Sequence, residues 1–344
     1  MTRVAIITNS LTGGGAERSM NLLANEFFNL GFDVTLIPIH VGEMDQVTLN
    51  CNVVNLSTGS SKSIVGILRK LRGLHFALVS IRPEIILVNC ELPELLVTLQ
   101  PGRFKIICVE HSDNSWVGRS LLGKSVRFIL NLRRAQWVVV SQKLQVRFLP
   151  KVKIIHIPNP ISEKIRKENF DFQENVSSSA SRLIFVGRLS KEKRPMLFLD
   201  LCKKFNLPGL VIGDGVQRIE LEIYAKAKDI SVRFLGHQKN PWDEVKRGDL
   251  VVIPSSYEGD GRVLAEAFVL GFPLLVSDIP AFREYKLPEF SFVKNFDELT
   301  IEDLLNLRNF QSSKIESLRL RNSRDPLTVA LAWRDLLFGF SKKH

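Results

Sequence analysis

The stretch DLVVIPSSYEGDGRVLAEAFVLGFPLLVSD, residues 249–278, contains the clearest signal of fold class in the chain. Two short apolar runs, 250–253 and 274–276, flank a glycine-containing turn and a helix-like segment that begins near residue 262. A strand, a helix and a second strand in this order form a βαβ unit, and such units build parallel sheets. The stretch therefore predicts an α/β domain with a parallel sheet.

The same alternation extends along the chain in both directions. A polar, serine-rich stretch that ends at residue 181 interrupts it and is typical of a linker. The other strands that we predict are 4–8, 34–38, 53–56, 85–89, 105–109, 137–140 and 153–157 before this stretch, and 183–186, 210–212 and 232–235 after it.

These patterns divide the chain into four parts. We predict a first domain at 1–162, a linker at 163–181, a second domain at 182–324 and a final helix at 325–344. Both domains are expected to be doubly wound and Rossmann-like, facing a central cleft. Because ligands of open parallel sheets bind beyond the carboxyl ends of the strands, we expect the active site in that cleft.

The composition is that of an ordinary folded chain, with 344 residues, 45% hydrophobic and 24% charged. The longest apolar runs fall far short of the ~20 residues that a membrane-spanning helix needs. The first residues read as a buried strand and not as a secretory signal, so we expect a cytosolic protein. Four widely separated cysteines without a CxxC motif predict neither a disulfide framework nor a metal site.

The positive charge is concentrated in the first half of the chain. The net charge is +11, and residues 1–161 hold 18 basic and 10 acidic residues, whereas 162–344 hold 29 and 26. Residues 114–162 contain no acidic residue. Drawn as a helix, RSLLGKSVRFILNLRR at 119–134 places its cations on one half and most of its apolar side chains on the other. The cations are Arg119, Lys124, Arg127, Arg133 and Arg134.

Three interpretations of this basic segment remain open. It can lie on an anionic bilayer, follow nucleic-acid phosphates, or form a solvated outer face above a core-facing apolar stripe. We favour the membrane, and we expect no nucleic-acid partner because the segment lacks a nucleic-acid motif and aromatic residues between its cations.

A glycine-rich loop follows the first strand. In NSLTGGGAERSMNLL, Gly13, Gly14 and Gly15 precede a helix at about Ala16. Glycine allows the backbone to approach a ligand closely, and a helix N-terminus attracts anions, so the loop is a candidate cradle for a phosphate or a sugar. It matches neither GxGxxG nor GxxxxGK[ST], so a dehydrogenase and a P-loop enzyme are poorly supported.

Two basic residues follow the first strand of the second domain. In RLIFVGRLSKEKRP, Arg188 and Lys193 supply a guanidinium and an ammonium that suit a diphosphate. Two further strand ends carry Gly213 in LVIGDG, and Gly236 with His237 in VRFLGH.

Two carboxylates lie eight residues apart in the stretch that opened this section. Glu258 is expected in the turn, and Glu266 about two helical turns further along. Ionised carboxylates accept hydrogen bonds strongly and suit sugar hydroxyls. We expect the backbone N–H groups at Gly261, Arg262, Val263 and Leu264 to face phosphate.

Over almost its whole length the chain resembles the family-four retaining glycosyltransferases of the GT-B fold. The matching features, in order, are GGGAER at 13–18, a histidine after KIICVE, IPNP at 157–160, VGRLSKEK at 186–193, GDG at 213–215, FLGH at 234–237, and EGDGRVLAEA at 258–267.

The resemblance implies a role for each matching position. The donor diphosphate would bind Arg188 and Lys193 without a metal or other cofactor. The donor sugar would bind Glu258, and the ribose would bind Glu266. His111 would orient the donor sugar or stabilise the transition state, and Gly236 and His237 would approach the base. The reaction would retain anomeric configuration, and the final helix would cross back to the first domain.

The resemblance also implies partners and a location. The donor would be a UDP- or GDP-sugar, and the acceptor a lipid-linked saccharide in bacterial lipopolysaccharide, O-antigen or capsule synthesis. The first domain would bind the acceptor at the inner face of the cell membrane. Two alternatives are a catalytically silent carbohydrate- or membrane-binding protein and a nucleotide-sugar epimerase or phosphorylase.

Two residues depart from the family pattern. Asp260 stands where an aromatic or bulky residue is usual, and Arg262 stands where a smaller or apolar residue is common. We expect Asp260 to bind a sugar hydroxyl or to pair with Arg262. Both residues make the identity of the donor sugar an open question.

Overall fold

A computed structural model of the chain describes residues 1–11, 14–40, 49–56, 63–112, 115–144, 152–162, 165, 182–246, 248–309 and 314–338. Its contacts define two compact units. The first comprises Met1–Ser162 and Arg324–His344, and the second comprises Glu163–Ser323. The predicted linker, apart from Ile165, and residues 339–344 of the predicted final helix lie outside the described residues.

The first unit contains a parallel sheet that is buried on both faces. Its strands are hydrogen-bonded in the order β3-β2-β1-β4-β5-β6-β7, so the order reverses between β1 and β4. This arrangement is doubly wound. Within the described residues the strands are β1 (Arg3–Thr8), β2 (Asp33–Pro38), β3 (Asn52–Val53), β4 (Ile85–Asn89), β5 (Lys105–Glu110), β6 (Gln136–Val139) and β7 (Ile154–His156).

Helices cover both faces of this sheet. Their bounds are α1 (Gly15–Asn29), α2 (Ile64–Ile81), α3 (Glu91–Thr98) and α4 (Ser120–Leu132). Helix α1 packs on one face through residues such as Phe27. The other three pack on the opposite face, where Leu74, Leu96 and Leu130 are buried. The strands are continuous apolar runs because helices bury them from both sides.

The second unit repeats this design. Its strand order is β10-β9-β8-β11-β12-β13, and each pair is parallel. The described strands are β8 (Leu183–Val186), β9 (Gly209–Ile212), β10 (Val232–Gly236), β11 (Leu250–Ile253), β12 (Leu274–Ser277) and β13 (Phe292–Val293). The short strand β13 was not predicted, because two residues give too little periodicity to detect.

The helices of the second unit are α5 (Pro195–Phe205), α6 (Arg218–Ala227), α7 (Arg262–Val269), α8 (Ile301–Asn309) and α9 (Lys314–Ser323). One core of this unit joins Phe198 of α5, Leu221 of α6 and Leu304 of α8 to Phe185 and Val211 of the sheet. Helix α5 begins with a proline, whose missing N–H has no intrahelical role at that position.

The last helix, α10 (Pro326–Phe338), belongs to the first unit. Val329, Ala330, Trp333 and Leu337 lie in the same buried cluster as α1 and the first sheet. Lys105 Nζ of β5 donates to the carbonyl oxygens of residues 336 and 337, at 2.9 and 2.7 Å. The predicted crossing of this helix back to the first domain is thus observed.

The predicted α/β class with two doubly wound parallel sheets is confirmed. In the second unit the strand order reverses between β8 and β11. Ligands of such sheets bind beyond the carboxyl ends of the strands at this reversal. Arg188 and Lys193 follow β8, and Glu258 follows β11, so the fold places these predicted site residues at the reversal.

Candidate active site

Three glycines bring adjacent strand ends together in the second unit. Gly187 follows β8, Gly213 follows β9 and Gly236 ends β10. Gly213 has φ +141°, and a Cβ there would lie 1.9 Å from the carbonyl oxygen of Gly187. Its N–H donates to the carbonyl oxygen of Gly236 at 2.8 Å. Only glycine fits at 213, because a side chain would push the two strand ends apart.

Lys193 and Glu258 meet at this edge of the sheet. Lys193 lies in a short turn, Lys191–Lys193, and its Nζ is 2.5 Å from Glu258 Oε1. The same oxygen accepts from Ser255 Oγ at 2.9 Å. Both charged side chains are partly exposed, and Arg188 nearby in sequence is exposed. A cation and a carboxylate are therefore adjacent at this edge of the sheet.

Backbone contacts hold these two loops together. The N–H of Ser256 donates to the carbonyl oxygen of Glu192 at 2.8 Å, and its hydroxyl donates to the same oxygen at 3.1 Å. The Glu192 carboxylate accepts from Ser190 Oγ at 2.5 Å. Burial raises its pKa, but the Ser190 bond and neighbouring Lys193 and Arg188 outweigh burial, so the net shift of the pKa is downward.

Helix α7 presents its N-terminus beside Glu258. Gly261 caps it with φ +64°, and a Cβ there would lie 2.7 Å from the Phe282 ring. No side chain caps this helix end, and the first intrahelical bond runs from the N–H of Ala265 to the carbonyl of Gly261. The N–H groups of residues 262–264 are thus oriented without an intrahelical acceptor, as an anion site requires.

Glu266 lies inside the domain and not at its surface. The residue is 3% exposed, and its two oxygens accept from Arg262 Nε at 2.8 Å and from Trp242 Nε1 at 2.9 Å. Arg262, an unusual residue at this point of the pattern, therefore pairs with Glu266 one helical turn away. Each oxygen of the Glu266 carboxylate thus has one of these bonds and retains a further lone pair.

Asp260 is also buried. Tyr285 Oη donates to its carbonyl oxygen at 2.6 Å and lies 3.4 Å from Oδ1. The turn between β11 and α7 is thereby held against the segment after β12. His237, in contrast, is exposed at the end of β10, and Arg218 Nη1 lies within 2.9 Å of where a Cβ on Gly236 would be.

In the first unit, the glycine loop carries its own carboxylate. Gly13 lies outside the described residues, whereas Gly14 and Gly15 form the start of α1. Gly14 N–H donates to Glu17 Oε2 at 2.9 Å. A carboxylate at a helix N-terminus already balances the positive end of the dipole, so this loop is better suited to hydroxyl groups than to phosphate.

His111 follows β5 in the first unit and is half-buried. The preceding residue, Glu110, ends the strand and is buried, and it forms an ion pair with Arg127 Nη2 at 2.5 Å. His111 therefore directly follows a residue that is bonded to helix α4.

The structure corrects the predicted set of membrane-facing cations. Arg127 is 0% exposed and pairs with Glu94 and Glu110, so it does not face a membrane. Arg133 donates to the carbonyl oxygens of Val97 and Gly102, at 2.9 and 3.0 Å. The sequence could not separate buried Arg127 and half-buried Arg133 from the exposed cations, because their partners come from distant segments. Lys124 and Arg134 are exposed, and Arg119, also exposed, pairs with Glu91 at 2.6 Å.

The apolar side of α4 faces outward. Leu121, Phe128 and Leu132 are 80%, 58% and 66% exposed, and Leu122 and Ile129 are also exposed. The core side of the helix consists of Gly123, Val126, Arg127 and Leu130. The interpretation as a solvated face above a core-facing apolar stripe is therefore wrong, since the stripe is at the surface.

Within the described part of the chain, no cluster of three His, Cys, Asp or Glu side chains has the geometry of a metal site, and no helix is long and apolar enough to cross a membrane. The four cysteines, all described, are free thiols.

Comparisons with known proteins agree with this architecture. Residues 166–305 match the family described as Glycosyl transferases group 1. The chain is 27% identical over 289 residues to the GalNAc-α-(1→4)-GalNAc-α-(1→3)-diNAcBac-PP-undecaprenol α-1,4-N-acetyl-D-galactosaminyltransferase of Campylobacter jejuni, covering 78% of this chain and 77% of that protein. It is 23% identical over 257 residues to the O-antigen biosynthesis glycosyltransferase WclY of Escherichia coli, covering 70% and 71%.

Solved structures show the same fold. Sucrose-phosphate synthase from Thermosynechococcus elongatus superposes with a TM-score of 0.79 at 18% identity, over 99% of this chain and 100% of that one. HepE from Anabaena, in complex with UDP and glucose, superposes with a TM-score of 0.75 at 15% identity, over 98% of this chain and 100% of that one.

The two doubly wound parallel sheets have the GT-B fold, which the superposed structures share. Because residues 166–305 match the Glycosyl transferases group 1 family and relatives over most of the chain are named glycosyltransferases, the family resemblance and the enzyme class inferred from sequence are confirmed.

Some site residues were not predicted. They are Trp242, which donates to Glu266, Ser255, which donates to Glu258, and Tyr285, which donates to Asp260. Ser255 lies three residues before Glu258 and could have been suspected from the turn. Trp242 and Tyr285 are 24 and 25 residues from their partners. The one signal in the sequence was the residue type, because the N–H of a tryptophan and the O–H of a tyrosine need a hydrogen-bond partner when they are buried.

Proposed function

We propose that this glycosyltransferase moves a sugar from a nucleotide-diphosphate sugar to a lipid-linked saccharide, with retention of anomeric configuration, during assembly of a bacterial surface polysaccharide. The observation that carries the proposal is the Lys193–Glu258 pair at 2.5 Å, at the strand reversal of the group 1 domain. The relatives named for a polyprenyl-linked acceptor and for O-antigen synthesis support the acceptor class.

In this proposal the donor diphosphate takes over Lys193 from Glu258 and also binds Arg188. The N–H groups at the start of α7 stabilise charge on the departing phosphate, where fixed donors contribute most. Glu258 then accepts from donor sugar hydroxyls, Gly236 and His237 lie near the base, and His111 orients the donor sugar.

In this proposal the Glu266 carboxylate binds the ribose. Its bonds to Arg262 and Trp242 also hold the first turn of α7 in place. Asp260, bonded through its backbone to Tyr285, fixes the turn that carries Glu258.

We also propose that the first unit binds an anionic membrane surface through α4. The support is an outward apolar face together with exposed Lys124, Arg134 and Arg119. Apolar side chains would enter the interface while cations remain near lipid headgroups, each contributing about 1 kcal/mol. This placement would bring a lipid-linked acceptor to the enzyme.

The test begins with thermal stabilisation by UDP, GDP, CMP, ADP and dTDP, each at millimolar concentration. A ligand at 100 times its dissociation constant adds about 2.7 kcal/mol to the free energy of unfolding. The stabilising base then selects nucleotide sugars for transfer to an undecaprenyl-diphosphate saccharide, and NMR of the product gives its anomeric configuration. Inversion would reject the retaining mechanism, and neither stabilisation nor transfer with any donor would favour a silent binding protein.

A further inference from the structure

The turn that begins with His111 is organised around one buried carboxylate. Glu110, the last residue of β5, accepts from the backbone N–H of Ser112 and from Ser115 Oγ. It also accepts from Arg127 Nη2 at 2.5 Å. The carboxylate therefore fixes the backbone on both sides of His111 and links that backbone to α4.

Arg127 connects this turn to a second helix. Its Nη2 lies 3.1 Å from Glu94 Oε1 and its Nε lies 3.2 Å from Glu94 Oε2, so α3 is held by a two-point fork. The guanidinium is fully buried and lies over the Trp137 ring, 5.0 Å from its centroid. Such planar, bidentate geometry defines direction as well as distance, which a lysine would not do.

The other end of the turn is held by the same two helices. Trp116 Nε1 donates to Glu94 Oε2 at 2.9 Å, and its backbone N–H donates to Glu91 Oε1 at 2.5 Å. The Trp116 ring packs so closely on Gly123 of α4 that a Cβ there would lie 2.5 Å from it. Glu110 is thus bonded to α4, and Trp116 is bonded to α3 and packed against α4.

Stability alone does not explain this cluster. Two buried carboxylates share one guanidinium, and burial raises the pKa of Glu94 to about 7 and also raises the pKa of Glu110. Apolar residues of similar size often join two helices at least as well as a buried ion cluster does. Directional bonds to the turn are what apolar residues could not supply.

We propose that Glu94, Arg127 and Glu110 form a positioning cluster that fixes the orientation of His111 for sugar transfer. These are positioning residues, because they act through His111 and its backbone. The inference rests on the role proposed for His111, so its test needs one measurement that does not depend on turnover.

The test compares Arg127→Met with Arg182→Met in the full chain. Arg182 forms a matching fork to buried Asp249 in the second unit, at 3.2 and 2.7 Å, and lies at the opposite end of its strand from the site. Histidine NMR signals are assigned with His111→Gln, and amide hydrogen exchange is followed over 110–119. Initial rates use the UDP- or GDP-sugar selected by the nucleotide screen.

We expect Arg127→Met to move the His111 signals, to speed exchange over 110–119, and to lower kcat by about 10- to 100-fold with donor KM within about twofold. Arg182→Met should change none of these. If Arg127→Met fails to fold, Glu110→Gln carries the same test. Unchanged His111 signals and kcat, in whichever variant folds, overturn the proposal. If the unchanged chain itself shows no turnover while the variant moves the His111 signals, the result counts against the proposed function alone.

Discussion

Both assigned bonds to the Glu258 carboxylate fall on one oxygen. Lys193 Nζ and Ser255 Oγ contact Oε1, at 2.5 and 2.9 Å. We therefore assign Oε2 to the first hydroxyl of an incoming donor sugar. The ammonium that orients Glu258 is also the group that we assign to the diphosphate, so donor binding would exchange an internal ion pair for two contacts with one ligand.

This exchange gives Glu258→Gln and Lys193→Met different expected effects. Glu258→Gln should lower kcat/KM by about 10² or more, because a neutral amide accepts hydroxyl bonds less strongly. It should not weaken affinity for the bare nucleoside diphosphate, because it removes the carboxylate that competes for Lys193. Lys193→Met should weaken that affinity by about tenfold or more, since a charge-assisted bond contributes about 1.5–3 kcal/mol. Calorimetry with the stabilising diphosphate and initial rates measure the two effects.

The matched control is Glu289→Gln. Glu289 also pairs with a cation of the second unit, Arg283, at 2.6 Å, but its side chain is 81% exposed. Glu289→Gln should keep both the turnover and the affinity for the nucleoside diphosphate. Near-normal turnover of Glu258→Gln would remove the role assigned to that carboxylate.

At the scale of elements, α4 shows what helical periodicity can and cannot determine. The sequence correctly predicts a helix with its apolar residues gathered on one half. Periodicity does not say which half faces the core. The core takes the narrow side made by Gly123, Val126, Arg127 and Leu130, because Glu94 and Glu110 supply buried partners for the arginine.

If α4 binds the membrane through its outward apolar face, removal of the apolar side chains on that face should weaken binding. The triple change Leu121→Ser, Phe128→Ser and Leu132→Ser should lower partitioning into vesicles by at least about tenfold. The reason is that each buried apolar side chain contributes about 1.5–3 kcal/mol. The vesicles contain about one third phosphatidylglycerol, an anionic lipid. Sedimentation with vesicles measures the effect, and added salt should weaken binding of the unchanged chain.

The second unit offers a matched control for this surface. Val216, Ile219 and Ile223 are three exposed apolar residues on and before α6. Their replacement by serine should leave vesicle binding unchanged. Equal loss in both triple variants, or loss in neither, would contradict docking through α4.

At the scale of the whole molecule, the two ends of the chain build one unit. Trp333 of α10 is buried in the cluster that contains α1 and β1, more than 300 positions earlier in the sequence. The first sheet therefore has one of its covering helices only when the last segment of the chain is in place.

Trp333→Ala should accordingly destabilise the first unit and leave the second unaffected. Truncation of a buried tryptophan costs about 3–5 kcal/mol. Native-state hydrogen exchange should show faster exchange in β1 and β2 and unchanged exchange in β8 and β9. The control is Leu327→Ala on the same helix, where 46% exposure predicts a change within about 0.5 kcal/mol. Equal loss of protection in both sheets would contradict this assignment.

The sequence by itself determined most of the strands and the class of protein. Apolar runs of four to six residues marked buried strands, as at β8, β9 and β11. Glycines at 213, 236 and 261 marked strand ends and a helix start where φ is positive. These signals are local, since each depends on residues within one strand, turn or helix.

Only the tertiary structure decided which charged groups meet. Lys193 and Glu258 are 65 residues apart, and Arg127 lies 33 residues from Glu94. Pairing of this kind depends on the order of strands and the packing of helices, which no local pattern encodes. For the same reason the sequence placed Arg127 at a membrane, whereas its side chain is buried and bonded to Glu94 and Glu110, and the sequence did not predict the pair of Glu266 with Arg262.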